Sequence, residues 1–314
     1  MKKHLSSLLF LIAAALWGFA FTAQKQLAAL PVLTTMSIRN LLAGLFALAT
    51  IPLMDKIQHN GRVFLKKCKP DFTKSELLGG LACGGPLALA STVQQAGIAS
   101  GTDAGKAAFI SAFYVLFVPI ISLLLGHRSP LGAWCGVVIA LFGFYLLCLG
   151  GDLSLDPSDA TVLLGALLFS VHILTIAYFS PRCDGIRLSC IQFIVAHVIL
   201  TPAALMFDGL PSGSMIFNVL PSLLYFGICS GGVAYTLQVI GQRDANPTVA
   251  SIILSLESVF GAIGGAALLG ERMTPREYVG SLIIFIAVII SQLDLASLFK
   301  RLIHKNKTEE GRKT

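Results

Sequence analysis

Charge is what this 314-residue sequence has least of. Only 12% of its residues are Asp, Glu, Lys or Arg, 55% are hydrophobic, and the mean hydropathy is +0.80. A chain of this length could hold two or three soluble domains, but too few polar side chains exist to clothe them. A nucleic-acid-binding role goes with them, because no domain remains to present a groove or a basic face. The net charge of +7 has to be read by position instead. Motifs for bound groups are missing as well. No Gly-rich loop runs into Lys-Ser/Thr to cradle a nucleotide's phosphates, and no HExxH or Cys/His cluster has metal-ligand spacing. We therefore expect no cofactor, no metal and no direct drive by ATP. The seven cysteines are odd in number, form no CxxC pair and avoid the expected external loops, which reads as internal thiols.

What the chain has instead is long apolar runs. A bilayer crossing takes about 20 such residues. Ten runs approach that length: residues 5–23, 33–53, 77–98, 107–125, 131–149, 160–180, 188–207, 219–240, 249–269 and 279–293. A cleaved signal peptide would resemble the first. That run is longer than the usual apolar core of about 7–15 residues, and the site before Gln24 is poor. An even number of spans puts both ends on one side. With the N terminus inside, 18 of the 23 basic residues fall in internal segments, and only Lys25, Lys106, Arg272 and Arg276 lie outside. The positive-inside rule thus predicts a multi-pass protein of the cytoplasmic (inner) membrane with both termini cytoplasmic. The basic internal loop, residues 54–75, reads as a topology signal, with attraction to anionic headgroups as the alternative.

The chain also resembles itself. Residues 108–111, continuing through Gly126-His127-Arg128 to Gly136, line up with residues 252–255, continuing through Gly270-Glu271-Arg272 to Gly280. Both glycine pairs are 144 positions apart. The first spans of the two halves, around Trp17 and Ser170, match more faintly at an offset near 153. The expected fold is an all-α membrane protein of ten transmembrane helices in two inverted five-helix repeats, residues 1–149 and 150–298. A basic cytoplasmic tail, residues 299–314, follows. Because five is odd, the halves enter the membrane from opposite sides. Such pairs typically enclose a substrate site near the midplane and alternate its access by rocking one half against the other.

The ninth span, read over residues 251–270, carries a single acid, Glu257. A carboxylate at bilayer depth costs about 2.5–3.5 kcal/mol on insertion scales, while Gly261 and Gly265 form a GxxxG surface for close helix approach. That combination suggests a helix facing a protein cavity. Glu257 would hold a proton or a cationic group, or fix packing through a hydrogen bond. Arg39, near the start of the second span, would meet an anionic group, pair with Glu257, or snorkel to the outer surface. His172 suits a proton relay or a neutral helix contact, and His197 is read the same way. Tyr235 and Gln238 share a face with Gly231, as a cavity wall needs, although plain packing accounts for the glycines equally well. Gln94 and Gln95 end the third span, at substrate or at the outer interface. Tyr114 belongs to a stripe with Phe109, Phe113 and Phe117 that would receive an apolar or cationic substrate, or else face lipid or serve packing. Trp17 is read as a pocket residue or, like Trp134, as an interfacial anchor.

Certain of these residues also fall in family signatures. The first span contains Ala15-Leu16-Trp17-Gly18-Phe19. The ninth and tenth contain Ser255-Leu256-Glu257-Ser258, then Leu268-Leu269-Gly270-Glu271-Arg272 and Gly280. They resemble the ALxWG and LEP…LGER…G signatures of the EamA-type branch of the drug/metabolite transporter superfamily, and the resemblance covers nearly the whole chain. Ser258 stands where Pro commonly follows the Glu, which predicts a less kinked helix, and Ser170 stands where a Trp would echo Trp17. The resemblance implies a ten-helix inner-membrane carrier of small metabolites, often an exporter.

The expected function is therefore secondary active transport, not catalysis. The substrate would be a small organic metabolite or drug-like compound, amino acids included, moved by alternating access. Glu257, Arg39, His172, Tyr235, Gln238, Tyr114, Trp17 and Gln94 are the substrate-binding candidates. The expected partners are the substrate, protons as coupling ion, and the lipid bilayer, with no nucleic acid. One chain holding both repeats builds the pathway alone, so a monomer is the simpler expectation and a homodimer the alternative. The rival reading is an intramembrane enzyme acting on lipid or lipid-linked substrates. It would draw on the outer acids Asp103, Asp152, Asp156, Asp159 and Glu271, which show no recognisable catalytic spacing.

Overall fold

The computed structural model describes residues 2–59, 72–148, 156–209, 211–269 and 274–293. Among these residues there is no β-strand. In order the helices are α1 (Lys2–Gln26), α2 (Val32–His59), α3 (Lys74–Ala99), α4 (Ala104–Ser111), α5 (Tyr114–Leu124), α6 (Leu131–Cys148) and α7 (Pro157–Phe179). They continue with α8 (Gly185–Ala203), α9 (Gly213–Asn218), α10 (Leu220–Leu224), α11 (Thr236–Gln242), α12 (Pro247–Leu254), α13 (Glu257–Leu269) and α14 (Pro275–Ser291). Two π-helical stretches extend this set: Ala204–Asp208 prolongs α8, and Tyr225–Tyr235 joins α10 to α11. Among the described residues eight segments are long and apolar enough to cross a membrane, and Leu131–Leu146 and Tyr278–Ser291 are shorter apolar helices. The chain is a multi-pass helical membrane protein. Much of the internal loop at 54–75, the break at 150–159, the Gly270-Glu271-Arg272 motif and the tail fall outside the described residues.

Burial follows the solvent. Large apolar side chains such as Leu81, Val138, Phe142, Phe207 and Ile289 are exposed on the flanks, where hydrocarbon would receive them. Many buried positions are Ala, Gly or Ser, which allow close helix approach, and they are interleaved with Phe, Leu, Ile and Val. Chain turns carry caps. Thr73 and Glu76 form a reciprocal capping box at the start of α3, Asp159 accepts from the Asp156 amide at the start of α7, and Asn246 accepts from Thr248 and Val249 ahead of α12.

Two spans expected to be continuous are interrupted near their middles. The fourth breaks at Ala112–Phe113 and the ninth at Ser255–Leu256, one residue before Glu257. The lack of a proline after Glu257 therefore does not leave that helix straighter. Serines replace it. Ser251, Ser255 and Ser258 each donate a hydroxyl to the carbonyl three residues back, and the backbone tightens to i→i−3 bonds at Leu256 and Ser258. Such back-bonding competes with the α-helical ladder and bends it. At the other break Ala112, Phe113, Val115 and Leu116 make the same tight bonds.

Packing pairs are formed mostly between early and late segments: α3 on α7 and α8, α2 on α8, α6 on α14, and α1 on α12–α13. Antiparallel α2 and α8 are tied at both ends. At one, Arg187 makes a bidentate ion pair with Asp55 at 3.0 and 2.7 Å. At the other, the Thr34 amide donates to Asp208 at 2.7 Å. Between them, Ser37 Oγ meets His197 Nδ1 at 3.0 Å, and Cys190 Sγ approaches the Gly44 carbonyl at 3.8 Å. Along α6 and α14 the backbones nearly touch. A Cβ on Gly143 would lie 2.9 Å from the Gly280 carbonyl oxygen, and one on Gly136 3.0 Å from that of Ala287.

Candidate functional site

A cavity opens where the two interrupted helices meet the middle of the other spans. Its wall is assembled from short-period faces. Helix α1 contributes Trp17, Ala20, Phe21 and Gln24, spaced as one helical face. Ser91 and Gln94 of α3 sit one turn apart, as do Phe169, His172 and Ile173 of α7. Phe226 and Ser230 are four residues apart, and Tyr235 joins their face because the stretch carrying them is π-helical, with i→i+5 bonding. On its other side Gly227, Gly231 and Gly232 pack against Leu42, Ala43 and Phe46 of α2. Arg39, Gln238, Tyr114 and Glu257 complete the lining, the last two being the first residues after the helix breaks. The empty space inside this lining, including the solvent-open part at its mouth, is about 520 Å³.

All eight sequence candidates line this one cavity. Tyr235 is its hub. Its ring lies 4.7 Å from Trp17, 5.8 Å from His172 and 6.2 Å from Phe193 by centroids, and the Arg39 guanidinium sits 5.1 Å over it. Arg39 also stacks on Phe226 at 4.6 Å. At 2% exposure it does not snorkel to the surface, and it makes no ion pair with Glu257 among the described residues. Trp17 is not an interfacial anchor: its indole N–H donates to the Ser230 carbonyl at 3.0 Å inside the wall. Gln94 accepts from Gln24 at 3.2 Å and donates to Ser111 at 2.7 Å.

Several buried polar atoms of this wall have no hydrogen-bond partner among the described residues. They are Arg39 Nε and Nη1, His172 Nδ1, Tyr114 Oη and Gln238 Oε1. The His172 Nε2 position is taken by Gln192 Oε1 at 3.1 Å. Tyr114 Oη faces the Glu257 carboxyl without closing a well-aligned hydrogen bond. An unsatisfied buried polar group costs about 1–3 kcal/mol, so their convergence on one space points to a ligand or water that completes them.

Other candidates lie elsewhere. Gln95 turns away to donate to the Gln24 carbonyl at 3.1 Å. His197 belongs to the α2–α8 contact, and Phe109 packs edge-on against Phe113 and Phe144. Sequence reasoning missed Ala20, Phe21, Gln24, Ser91, Phe169, Ile173, Phe226 and Ser230. The helical spacing from Trp17, Gln94 and His172 pointed to the first six, whereas nothing in an α-helical period signals Phe226 and Ser230. Of the outer acids, Asp159 pairs with Lys106 at 2.5 Å and accepts from Thr102 at 3.1 Å, and Asp103 lies 3.6 Å from Lys25. Asp152 and Glu271 are outside the described residues.

A polar, aromatic-walled cavity enclosed by apolar spans is the architecture of a membrane transporter. Residues 4–149 and 157–293 each match the EamA-like transporter family, and the chain belongs to it. An uncharacterized transporter of Archaeoglobus fulgidus is 31% identical over 61% of this chain and 61% of its own length. The uncharacterized transporter YwfM of Bacillus subtilis is 26% identical over 92% of this chain and 94% of its own. The threonine/homoserine exporter RhtA of Salmonella typhimurium is 27% identical over 50% of this chain and 52% of its own. The chain thus spans about three fifths of the archaeal relative and half of RhtA. One solved crystal structure shares the fold, with a TM-score of 0.72 over 95% of this chain and 98% of the other at 15% identity.

Proposed function

We propose that this protein is a secondary transporter moving a small organic metabolite across the cytoplasmic membrane by alternating access. The observation that carries the reading is the cavity itself, where unpartnered polar atoms from early and late segments converge. Glu257, Arg39, His172, Tyr235, Gln238, Tyr114, Trp17 and Gln94 are its binding residues, and protons or the substrate gradient supply the drive. It is a carrier rather than an enzyme. Similarity to RhtA favours export.

The architecture proposed is ten spans in two inverted repeats, residues 1–149 and 150–298, with both termini and the 299–314 tail cytoplasmic, acting as a monomer. Repeated contacts support it. If two helices are equivalent, a contact from position x of the first to y of the second recurs from y of the first to x of the second. Thr34 and Arg187 are 153 positions apart, and so are Asp55 and Asp208; their two contacts form such a reciprocal set. Ser37–His197 and Gly44–Cys190 form another at the same offset. Gly143–Gly280 and Gly136–Ala287 do so at 144, the offset that also relates Gln94 to Gln238 and Phe113 to Glu257 beside the two helix breaks. Antiparallel pairing puts the two-fold axis across the helices, hence in the membrane plane, which is the inverted arrangement. Interrupted helices at the midplane fit the same class of carrier.

Counterflow in vesicles of purified protein tests the function. Accumulation of a labelled metabolite that Glu257→Gln lowers, with expression and melting unchanged, is expected. Full activity in that variant would remove Glu257 from the mechanism.

A further inference from the structure

A residue outside the cavity sets the chemistry of one that lines it, and this step rests on the carrier reading above. His172 is fully buried in α7, and its ring packs 5.8 Å from that of Tyr235. One ring nitrogen, Nε2, lies 3.1 Å from Gln192 Oε1, and the other, Nδ1, has no hydrogen-bond partner among the described residues. Gln192 is itself fully buried and is not among the lining residues. Its backbone is clamped by α3. A Cβ on Gly84 would lie 2.8 Å from the Gln192 carbonyl oxygen, and one on Gly80 3.3 Å from its amide nitrogen. One residue further along α8, Phe193 meets Tyr235 edge-on at 6.2 Å. The side-chain amide is thereby held against α7, and the His172 contact satisfies an Oε1 that would be costly to bury alone.

An amide oxygen only accepts, so this contact requires the proton on Nε2, and a neutral imidazole protonated there presents Nδ1 as a bare lone pair. The surroundings favour the same arrangement. Arg39 sits over the same Tyr235 ring, within electrostatic reach of His172, and its buried Nε and Nη1 are donors without an acceptor. An N–H on Nδ1 would add a further donor to a space that already holds a cation. A lone pair adds an acceptor instead. At the 153 offset of the proposed repeat Gln192 corresponds to Arg39: Arg39 lines the cavity directly, whereas Gln192 acts on it through His172. We propose that Gln192 is a positioning residue for substrate selection, fixing the His172 tautomer so that Nδ1 accepts a hydrogen bond from the carried molecule. The site then reads a ligand O–H or N–H at that point, and a ligand without one leaves the lone pair buried and unsatisfied.

Nuclear magnetic resonance of the full chain in lipid nanodiscs, with isotope-labelled histidine, tests the tautomer without any ligand. The chain has six histidines, and the His172 signals are those lost in His172→Asn. At mildly alkaline pH, Nε2 is expected protonated and Nδ1 bare, two states whose nitrogen resonances lie far apart. Gln192→Met keeps the reach of the side chain and removes the acceptor, so both tautomers should appear at His172 while the other histidines keep their spectra. Gln192→Leu should act alike, and a misfolded variant would disturb all six together. Nδ1–H in the unmodified protein overturns the proposal, and so does an unchanged His172 spectrum in the folded variants. Selection is read in vesicles supplied with a labelled metabolite extract. The component they concentrate most is offered again with each of its N–H and O–H groups fully methylated in turn. One such methylation should raise the half-saturation concentration about tenfold in the unmodified protein, and Gln192→Met should carry that form and the parent alike. Methylated forms that are all carried as well as the parent overturn the selection. Vesicles that concentrate nothing would count against the carrier reading, while the tautomer measurement still decides what Gln192 does to His172.

Discussion

Gly18 lets α1 reach the helix that bears Glu257, so adding one methyl group there probes the site's framework. A Cβ on Gly18 would lie 2.4 Å from Phe260 Cβ, 2.7 Å from the Glu257 carbonyl oxygen and 2.7 Å from the Gly261 amide nitrogen. Ordinary contact begins near 3.4 Å, so roughly 0.7–1.0 Å has to be found. Two of the three neighbours are backbone atoms of α13, which cannot rotate aside. Overpacking of this kind costs about 1–3 kcal/mol, and the fixed backbone puts Gly18→Ala near the upper end. Alanine returns up to about 1 kcal/mol of helix propensity, leaving a net loss of about 1–2 kcal/mol. The shift also pulls Trp17 from its 3.0 Å bond to the Ser230 carbonyl, so transport should fall further than stability alone would take it. Gly105→Ala is the control: it too sits inside a helix, and no residue beyond its chain neighbours lies within 4 Å of the added carbon. Thermal unfolding in detergent and counterflow on matched vesicles are the assays. Gly18→Ala that melts and transports like Gly105→Ala would refute the close contact.

Two further outcomes follow from α2 and α8. Asp55→Asn removes one partner of Arg187, which is 2% exposed; because Asp55 is itself about a third exposed, the loss should be about 1–3 kcal/mol, read as a lowered melting temperature, and no change would mean the pair contributes nothing. Cysteines at Thr34 and Asp208, bridged by a short bifunctional thiol reagent, should leave transport intact. Exchange of the two halves' roles maps that contact onto Asp55–Arg187, and both are already formed together. Loss of transport on bridging would show that the pair has to open.

Much of this site was legible from single residues that cost free energy where they stand. Glu257, Arg39 and His172 are expensive in an apolar span, which is why sequence alone singles them out, and the structure brings all three to one cavity. Spacing gives the rest of a helical face once one member is known, as with Trp17 and Gln24. What a sequence read in α-helical periods hides is departure from that period. The π-helical stretch turns Phe226 and Ser230 toward Tyr235, and the serines at 251, 255 and 258 interrupt a helix that the absence of a proline suggested would run straighter. Both effects arise from competition among backbone hydrogen bonds, and apolar periodicity does not register it.

The proposed repeat relates the frame but not the chemistry. At the offsets that match its helices, Arg39 corresponds to Gln192, Glu257 to Phe113 and Trp17 to Ser170, so no charge of the cavity has a charged counterpart. Arg39 comes from the first half and Glu257 from the second. The ends are unequal too. Lys106–Asp159 clasps α4 to the start of α7, whereas the matching positions, Ala250 and Ser6, cannot form an ion pair. At that second end the corresponding glycine, Gly241, is filled by the ring of Phe10, while Gly97 at the first packs against the Ser158 carbonyl and Val162. The charged clasp at one end and the ring-filled contact at the other lie apart from the residues that line the cavity.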